Sequence, residues 1–561
     1  MTAGLRREIE ELPAGLVADL GRAAAYPPEA RADRELAPVQ THISHVFLTA
    51  TRVYKLRKAV AFPFLSFATR AERNADCLRE LRLNRRLAPD VYLGVAPLLR
   101  RDGGFAVGET GEALAPGGAG GRAPEHCVVM RRLPDGRDAQ SLLAAGRLER
   151  GMVEAAAERV AHFHEGHRLG RPAPFAPDEW LARCEAPVLE NLRLLREDAP
   201  GSPLAERAAR VETAARRWLR ERARDFEERR VRGLAVDGHG DLQLQHLWFE
   251  GDRREPLIID CTEFNEDFRR IDAASEVAFL AMDLRYRGSA DLAALFLRRY
   301  ARETDDFHLY AVLDYFVSYR AAVRSKVAEL ASREPEIDAR QREAAAASAE
   351  RHLRLAEEAL AESGPGALVV LCGTVGSGKS TAAELLADAT GGAVVSSDRT
   401  RKRMAGLAAT ERVSGEREQA LYSAEQSERV YAGLLERAEP VVRSGRVAVL
   451  DATHASRARR ERALAWARER GVAARLVQTT CAREEALARL ARRRESGRDP
   501  SDAGPELYRA SIQGFEPPEE WPAADRTEVD TSAPGWRDAL EALARRVADA
   551  SHCEPGGSAS D

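Results

Sequence analysis

Apolar and polar positions alternate through THISHVFLT (41–49) and RVYKLRKAV (52–60), the period of two that predicts a hairpin of half-buried strands. The period then lengthens. Ala71, Ala75, Leu78 and Leu81 fall at spacings of 4, 3 and 3, which predicts a helix carrying Glu80. GETGEALAPGGAGGRAP (108–124) reads as a flexible loop and CVVM (127–130) as a strand. Arg/Ala/Leu/Glu-rich stretches of helical period follow from 148 to 230 and, after a short interruption around HGDLQLQHLWF (239–249), continue to 361.

SGPG (363–366) ends the last of these helices and reads as a hinge. Beyond it ALVVLCG, AVVSSD (393–398), VAVLDAT (447–453) and ARLVQTT (474–480) alternate with helical runs, which predicts a parallel α/β sheet. The expected division is one domain over 1–362, a second over 363–550 and a disordered tail over 551–561.

Composition narrows the picture. A chain of 561 residues is too long for one hydrophobic core, and 44% hydrophobic with 31% charged residues is globular rather than disordered. Its 85 basic and 89 acidic residues leave a net charge of −4, so a broad nucleic-acid-binding surface is not implied and any polyanion contact is local. The seven cysteines are scattered without a CxxC pair, which points to a reducing compartment. The N-terminus lacks the apolar core of a signal peptide, and no run of about 18 apolar residues occurs, so a cytoplasmic protein without membrane contact is expected.

The strongest chemical signal is GTVGSGKST. Gly373, Gly376, Gly378, Lys379, Ser380 and Thr381 stand after a predicted strand and before a predicted helix, in the G-x-x-x-x-G-K-[ST] pattern of a phosphate cradle. Lys379 is expected to reach the β/γ-phosphates of ATP, and the Ser380 hydroxyl to ligate Mg²⁺. Asp398 closes the second strand with Arg401 three residues on. There a carboxylate can take the proton of an acceptor hydroxyl and a guanidinium can hold an anionic group; alone, the same pair would read as a helix cap beside a solvated arginine. Asp451 ends the third strand, where it can organise Mg²⁺ and its waters or contact the acceptor. Arg489 and Arg493 lie four apart on one helical face, able to close over the phosphates, whereas Arg492 and Arg494 read as solvated and ESGRDPSDA (495–503) as a lid hinge.

On GTVGSGKST, SSDRTRK, VLDAT and RLARR…DPSDA, residues 366–535 resemble the P-loop kinases that include polynucleotide kinases, zeta toxins and chloramphenicol phosphotransferases. The resemblance implies Asp398 as general base, Arg401 as acceptor ligand, and Arg489 and Arg493 as lid arginines.

Phosphoryl transfer in protein kinase-like folds needs a strand Lys, a helix Glu, a catalytic-loop Asp, an Asn five residues later and a metal-binding Asp. Lys55, Glu80, Asp241 and Asp260 occur in that order, with His246 where the Asn is usual. With THISHVFL, VYKLRK, LRLNRRLAPDVYLGV and IDCTEFNEDFRRIDAASEVAFLAMDL, this half resembles the aminoglycoside phosphotransferase/choline kinase class, and more closely those relatives fused to a P-loop kinase. The resemblance implies a bilobal kinase-like domain with Asp241 as base, Asp260 as metal aspartate, and Lys55 with Glu80 on the nucleotide. Imidazole is a poor Mg²⁺ ligand, so His246 leaves two readings: metal bound mainly through Asp260, or a non-catalytic binding module. His162, His164 and His167 in AHFHEGH read as helix packing or capping rather than a metal site; His454 after VLDAT is ambiguous.

The expected whole is a fused ATP- and Mg²⁺-dependent phosphotransferase acting on the hydroxyl of a small molecule. A 5′-hydroxyl polynucleotide kinase and a nucleotide-dependent switch are the alternatives, though a switch has no use for the acceptor pair Asp398 and Arg401.

Overall fold

The computed structural model describes residues 9–552 apart from 32–34, 63–64, 102, 117–122, 199, 252, 336–337 and 497–499. Parts of the expected loop at 108–124, of the lid hinge at 495–503 and of the tail at 551–561 therefore lie outside the described residues. The chain forms two compact units: Met1–Arg159 with Phe163–Gly170 and Leu234–Glu276, and Val160–His162 with Arg171–Gly233 and Val277–Asp561.

The first unit is built on an antiparallel sheet of β1 (Val39–Gln40), β2 (Ser44–Leu48), β3 (Arg52–Arg57), β4 (Tyr92–Arg101), β5 (Gly104–Val107) and β6 (His126–Arg131), in the order β1-β2-β3-β6-β4-β5. The predicted hairpin is β2–β3, with Lys55 opposite Val46. Strand parity divides β3: Tyr54 and Leu56 enter one apolar core with Leu16 and Leu20, while Val53 packs on the opposite face. Lys55 and Arg57 share the parity of Val53. That face is covered by α1 (Arg70–Asn84), whose Cys77 and Leu81 pack with Val95 and Val128. A capping box starts α1: the Thr69 hydroxyl accepts from Glu72 N–H and the Glu72 carboxylate from Thr69 N–H.

Two short ribbons complete this unit. β7 (Ala235–Asp237) pairs with β10 (Arg270–Asp272), and β8 (Leu247–Trp248) with β9 (Leu257–Ile258). The loop between β7 and β8 carries His239–Asp241 and His246, and Asp260 follows β9.

The second unit holds long helices, among them α2 (Ala290–Thr304), and a five-stranded parallel sheet. In chain order its elements are β11 (Ala367–Cys372), α3 (Lys379–Thr390), β12 (Ala393–Ser396), α4 (Ser397–Met404), α5 (Ala424–Arg443), β13 (Val447–Asp451), β14 (Ala473–Thr480), α6 (Arg483–Ser496), β15 (Arg526–Asp530) and α7 (Trp536–His552). The strand order is β12-β13-β11-β14-β15, with every neighbour parallel. All four predicted strands are present, but AVVSSD stops at Ser396 because α4 takes over at Ser397. The edge strand β15 escapes a periodicity reading: RTEVD buries only Val529. Leu371, Val449 and Val477 of the sheet pack against Leu386 of α3 and Leu540 and Leu543 of α7. Burying such side chains contributes about 1.5–3 kcal/mol each and fixes the strand ends from which the site is built. Among the described residues no helix is long and apolar enough to cross a membrane.

Candidate functional sites

In the second unit the order reverses at β11, so the carboxyl ends of β11, β12 and β13 open onto one crevice, where α/β sheets bind ligands. The loop from Gly373 to Gly378 fills the turn from β11 into α3. Gly376 (φ 77°) and Gly378 (φ 86°) occupy the left-handed region, and a Cβ on Gly376 would lie 2.8 Å from the Ala486 carbonyl oxygen. Lys379 curls back over the loop, and its Nζ donates to the carbonyls of Gly373 (3.0 Å) and Thr374 (2.7 Å).

Lys379, Ser380, Asp398, Arg401, Asp451 and Arg493 line one cavity of about 530 Å³. Burial lowers the Lys379 ammonium to about 8, although Asp451 and Asp398 pull it upward. Burial also lifts the Asp451 carboxyl to about 6, against a hydrogen bond from Ser380 and the attraction of Lys379. A buried carboxylate bonded to a Walker-type serine, beside a loop whose glycines leave room for phosphate, fits Mg²⁺-nucleotide. Asp398 sits in the first turn of α4. One helical turn on, Arg401 is buried, stacks 4.7 Å from the centroid of the Tyr422 ring, and donates to Leu421 O (2.8 Å) and Ser427 Oγ (3.3 Å). Its Nε has no hydrogen-bond partner among the described residues. The opposite side of α4 is tied down: Arg399 pairs with Glu303 of α2 (3.2 Å), and Arg403 donates to Thr304 O (3.0 Å).

The two lid arginines separate. Arg493 lines the cavity, whereas Arg489 is braced by Glu485 (2.8 Å), Thr531 Oγ1 (2.7 Å) and Thr531 O (3.0 Å). Thr531 in turn donates to Ser377 O (2.9 Å), which makes Arg489 a support of the phosphate loop in this geometry. Thr381 follows Ser380 in the first turn of α3 and is not among the residues of the cavity wall. The structure adds wall residues to which the motifs assigned no role. Tyr431 meets Thr453 Oγ1 (3.0 Å), and Asp502 gathers Tyr422 Oη (2.7 Å), Lys402 Nζ and Arg412 Nη1 (both 3.2 Å). Asp502 lies within DPSDA, where a carboxylate flanked by small residues was the available signal. His454 turns inward: its Nδ1 donates to Leu371 O (2.7 Å), and burial holds it near 4, neutral.

In the first unit β3 and α1 bring Lys55 Nζ to 2.9 Å from Glu80 and 2.8 Å from Asp260. Burial opposes the Lys55 charge, but Asp260 and Glu80 outweigh it and hold the ammonium well above the usual lysine range. Lys55 correspondingly keeps the Asp260 carboxyl far below the usual carboxylate range. Asp260 has φ 62°, a conformation rare for a non-glycine residue and frequent at functional sites. Behind it, fully buried Arg57 donates to Asp76 (2.7 Å), Glu80 and Glu263, and burial lifts the Glu263 carboxyl to about 8.

The loop before β8 is held from within. Glu276 accepts from the backbone N–H of His239 (2.6 Å) and Gly240 (3.0 Å), and His239 Nε2 donates to Ile259 O (2.8 Å). Gln243 Nε2 lies 2.5 Å from Asp241 Oδ1. His246 stands between the two aspartates, 3.7 Å from a carboxylate oxygen of each. Of the histidines in AHFHEGH, His167 donates from Nδ1 to Phe163 O (2.7 Å) and packs on the Phe163 ring, a helix-end role.

Against known proteins, a family model described as an AAA domain matches residues 368–518. The uncharacterized protein Rv2004c of Mycobacterium tuberculosis is 32% identical over 416 residues, which cover 74% of this chain and 77% of that protein. A choline/ethanolamine kinase family protein from Mesorhizobium loti is 13% identical and matches 61% of this chain and 98% of its own, with a TM-score of 0.33. A gluconokinase from Sinorhizobium meliloti 1021 is 19% identical and matches 34% of this chain and 97% of its own, with a TM-score of 0.24.

Proposed function

Since the chain belongs to the family of the Mycobacterium tuberculosis protein Rv2004c, a kinship that brings no reaction with it, we propose its function from the sites: an ATP-dependent phosphotransferase whose P-loop module phosphorylates a small-molecule hydroxyl. The observation that carries this reading is the common cavity of Lys379, Ser380, Asp398, Arg401, Asp451 and Arg493. It combines a phosphate-binding lysine with a carboxylate that has an acceptor-side arginine beside it, and a nucleotide switch needs only the first.

In this reading the loop amides and Lys379 hold the β/γ-phosphates, Asp398 takes the proton of the acceptor hydroxyl, and Arg401 holds a polar or anionic group of the acceptor. Arg493 offsets charge that develops on the transferring group, and Arg489 keeps the loop in place through Thr531. Mg²⁺ held by Ser380 and Asp451 would supply charge neutralisation at the phosphates. The kinase-like module is a second nucleotide site, either catalytic or substrate-binding, with Lys55 and Glu80 on the phosphates, Asp241 as base, and Asp260 with His246 toward metal.

The test is transfer of labelled γ-phosphate to a panel of small hydroxyl compounds and 5′-hydroxyl oligonucleotides. A small acceptor should become labelled, and Asp398→Asn should cut that transfer by about 10²–10⁴-fold while ATP still binds. Free phosphate without any labelled acceptor would sink the kinase reading in favour of the switch. Labelling confined to oligonucleotides, weakening steeply with salt, would favour end repair.

A further inference from the structure

In the second unit α4, the helix that carries Asp398 and Arg401, has little apolar anchorage of its own. It spans eight residues, Ser397–Met404; the side chains it buries are Thr400, Arg401 and Lys402, and Met404 is exposed. An isolated helix shorter than about 12–15 residues is marginal in water, so α4 keeps its shape and place through tertiary contacts. It also follows β12, the edge strand of the sheet, which pairs with β13. The aim of Asp398 and Arg401 therefore depends on polar ties.

Two of those ties are on the cavity side, where Arg401 donates to Leu421 O (2.8 Å) and Lys402 meets Asp502 (3.2 Å). Arg399 and Arg403, one turn apart on the other side, both end on the last turn of α2. The Arg399 guanidinium straddles the Glu303 carboxylate, with Nη1 to Oε2 and Nη2 to Oε1 both 3.2 Å, and Nη1 also reaches Arg302 O (3.4 Å). Arg403 donates to Thr304 O (3.0 Å). A forked arginine–carboxylate pair fixes direction as well as distance.

α2 is in turn clamped to the helix behind the phosphate loop. Arg302 pairs with Glu384 and Arg298 with Asp388, both on α3, the helix that opens with Lys379 and Ser380. The turn after α2 reaches α5, where Asp305, at φ 58°, accepts from Arg437 Nε (2.7 Å) and Nη2 (2.6 Å). One helix end thus grips both the helix of the phosphate-side residues and the helix of the acceptor-side residues. α2 precedes SGPG in the chain and lies outside residues 366–535, whose motifs carry the P-loop kinase resemblance.

We infer that α2 is the spacer that sets α4 against the phosphate loop, and that Glu303 is a positioning residue for phosphate transfer, acting through Arg399 on Asp398 and Arg401. The inference rests on the proposal that Asp398 and Arg401 serve an acceptor hydroxyl. Transfer needs the reacting atoms about 3–3.5 Å apart and aligned, and a misplacement of about 1 Å from a change far from the chemistry can cost 10²-fold. Lys379 and Ser380 stand on α3, so nucleotide binding does not pass through the pair of Glu303 and Arg399. Loss of that pair should separate acceptor use from nucleotide affinity.

The test uses the full chain and three measurements: labelled γ-phosphate transfer to the panel of small hydroxyl compounds and 5′-hydroxyl oligonucleotides, calorimetry with Mg²⁺-ADP, and amide hydrogen exchange across Ser397–Met404. Glu303→Gln and Arg399→Met should each lower kcat/KM for the acceptor that the natural protein labels by about tenfold, and should speed exchange in α4. Mg²⁺-ADP affinity should stay within about twofold. Arg399→Lys, which keeps the charge and loses the fork, should fall in between. Transfer that stays unchanged in the variants, whatever the exchange of α4, overturns the inference and leaves the phosphotransferase reading standing. A parallel fall of transfer and Mg²⁺-ADP affinity also overturns it, because that marks a general loosening of the fold. If the natural protein labels nothing on the panel, the phosphotransferase reading fails and the inference with it.

Discussion

The two lysines proposed to bind phosphate, Lys55 and Lys379, sit in opposite electrostatic surroundings. Lys55 is paired with Glu80 and Asp260, and those carboxylates hold its ammonium well above the usual range despite burial. Among the described residues Lys379 bonds to carbonyl oxygens of its own loop, and burial brings it down to about 8. The first site has its charges satisfied internally, so in the proposed role a nucleotide would share Lys55 with its carboxylates. The second holds its charge partly uncompensated, so phosphate entry relieves a desolvation cost. Sequence motifs rank the two lysines by pattern alone; the structure separates them by what neutralises them.

The largest test of this contrast is in the first unit. Glu80→Ala leaves Lys55 and Arg57 buried with too few carboxylates and should destabilise the unit by about 3–5 kcal/mol in urea unfolding. Glu263→Gln should cost less than about 1 kcal/mol at neutral pH, because a carboxyl lifted to about 8 is already protonated there. The sign with pH follows. Between the ordinary value of 4.5 and about 8 the folded state keeps a proton that the unfolded chain releases, so the Glu263 contribution falls as pH rises through that window. Glu263→Gln should flatten that slope, and an unchanged slope would remove Glu263 from the charge network.

Next in size is the exchange of each lysine. Lys379→Met should reduce phosphate transfer by about 10²–10³-fold, roughly 3–4 kcal/mol of transition-state stabilisation. Lys55→Met should leave transfer by the P-loop module within about threefold. Equal losses in both variants would mean that the two modules share one reaction, and the contrast between a satisfied and an expectant lysine would lose its functional meaning.

How much of this was legible beforehand follows from where each partner lies in the chain. The phosphate loop is contiguous, and its glycines are demanded by local backbone geometry, so GTVGSGKST could be read directly. Lys55, Glu80 and Asp260 were legible as an ordered set, because a strand, a helix and a later strand end each present one charged residue toward the same cleft. Arg57 was not. It shares the parity of Lys55 within the predicted strand, but its carboxylate partners stand 19, 23 and 206 positions away. Glu276, which holds the loop at His239 and Gly240, is likewise 37 and 36 positions distant, with no local pattern to mark it. In the second unit the spacing of Arg489 and Arg493 predicted one shared role. Thr531, at the start of a turn after an edge strand that periodicity missed, gives Arg489 a different one.

The smallest effect is the most discriminating, because it concerns only the acid side of the P-loop cavity. Asp451 faces Ser380, Lys379, Asp398 and Glu384, and burial with the two neighbouring carboxylates lifts it to about 6. In the proposed role Asp451 must be ionised to hold the metal, so the affinity of the cavity for Mg²⁺-ADP should be level from about 8, where Lys379 begins to lose its proton, down to about 6. It should fall by up to tenfold, about 1.4 kcal/mol, for each pH unit below it. Calorimetric titrations of the natural chain and of Asp451→Asn separate this from the titration of the nucleotide phosphate, which both proteins share. The variant should bind more weakly at neutral pH and lose the steeper part of the acid limb. If both proteins keep the same limb, the proton is taken up by the nucleotide alone, and Asp451 does not hold the metal.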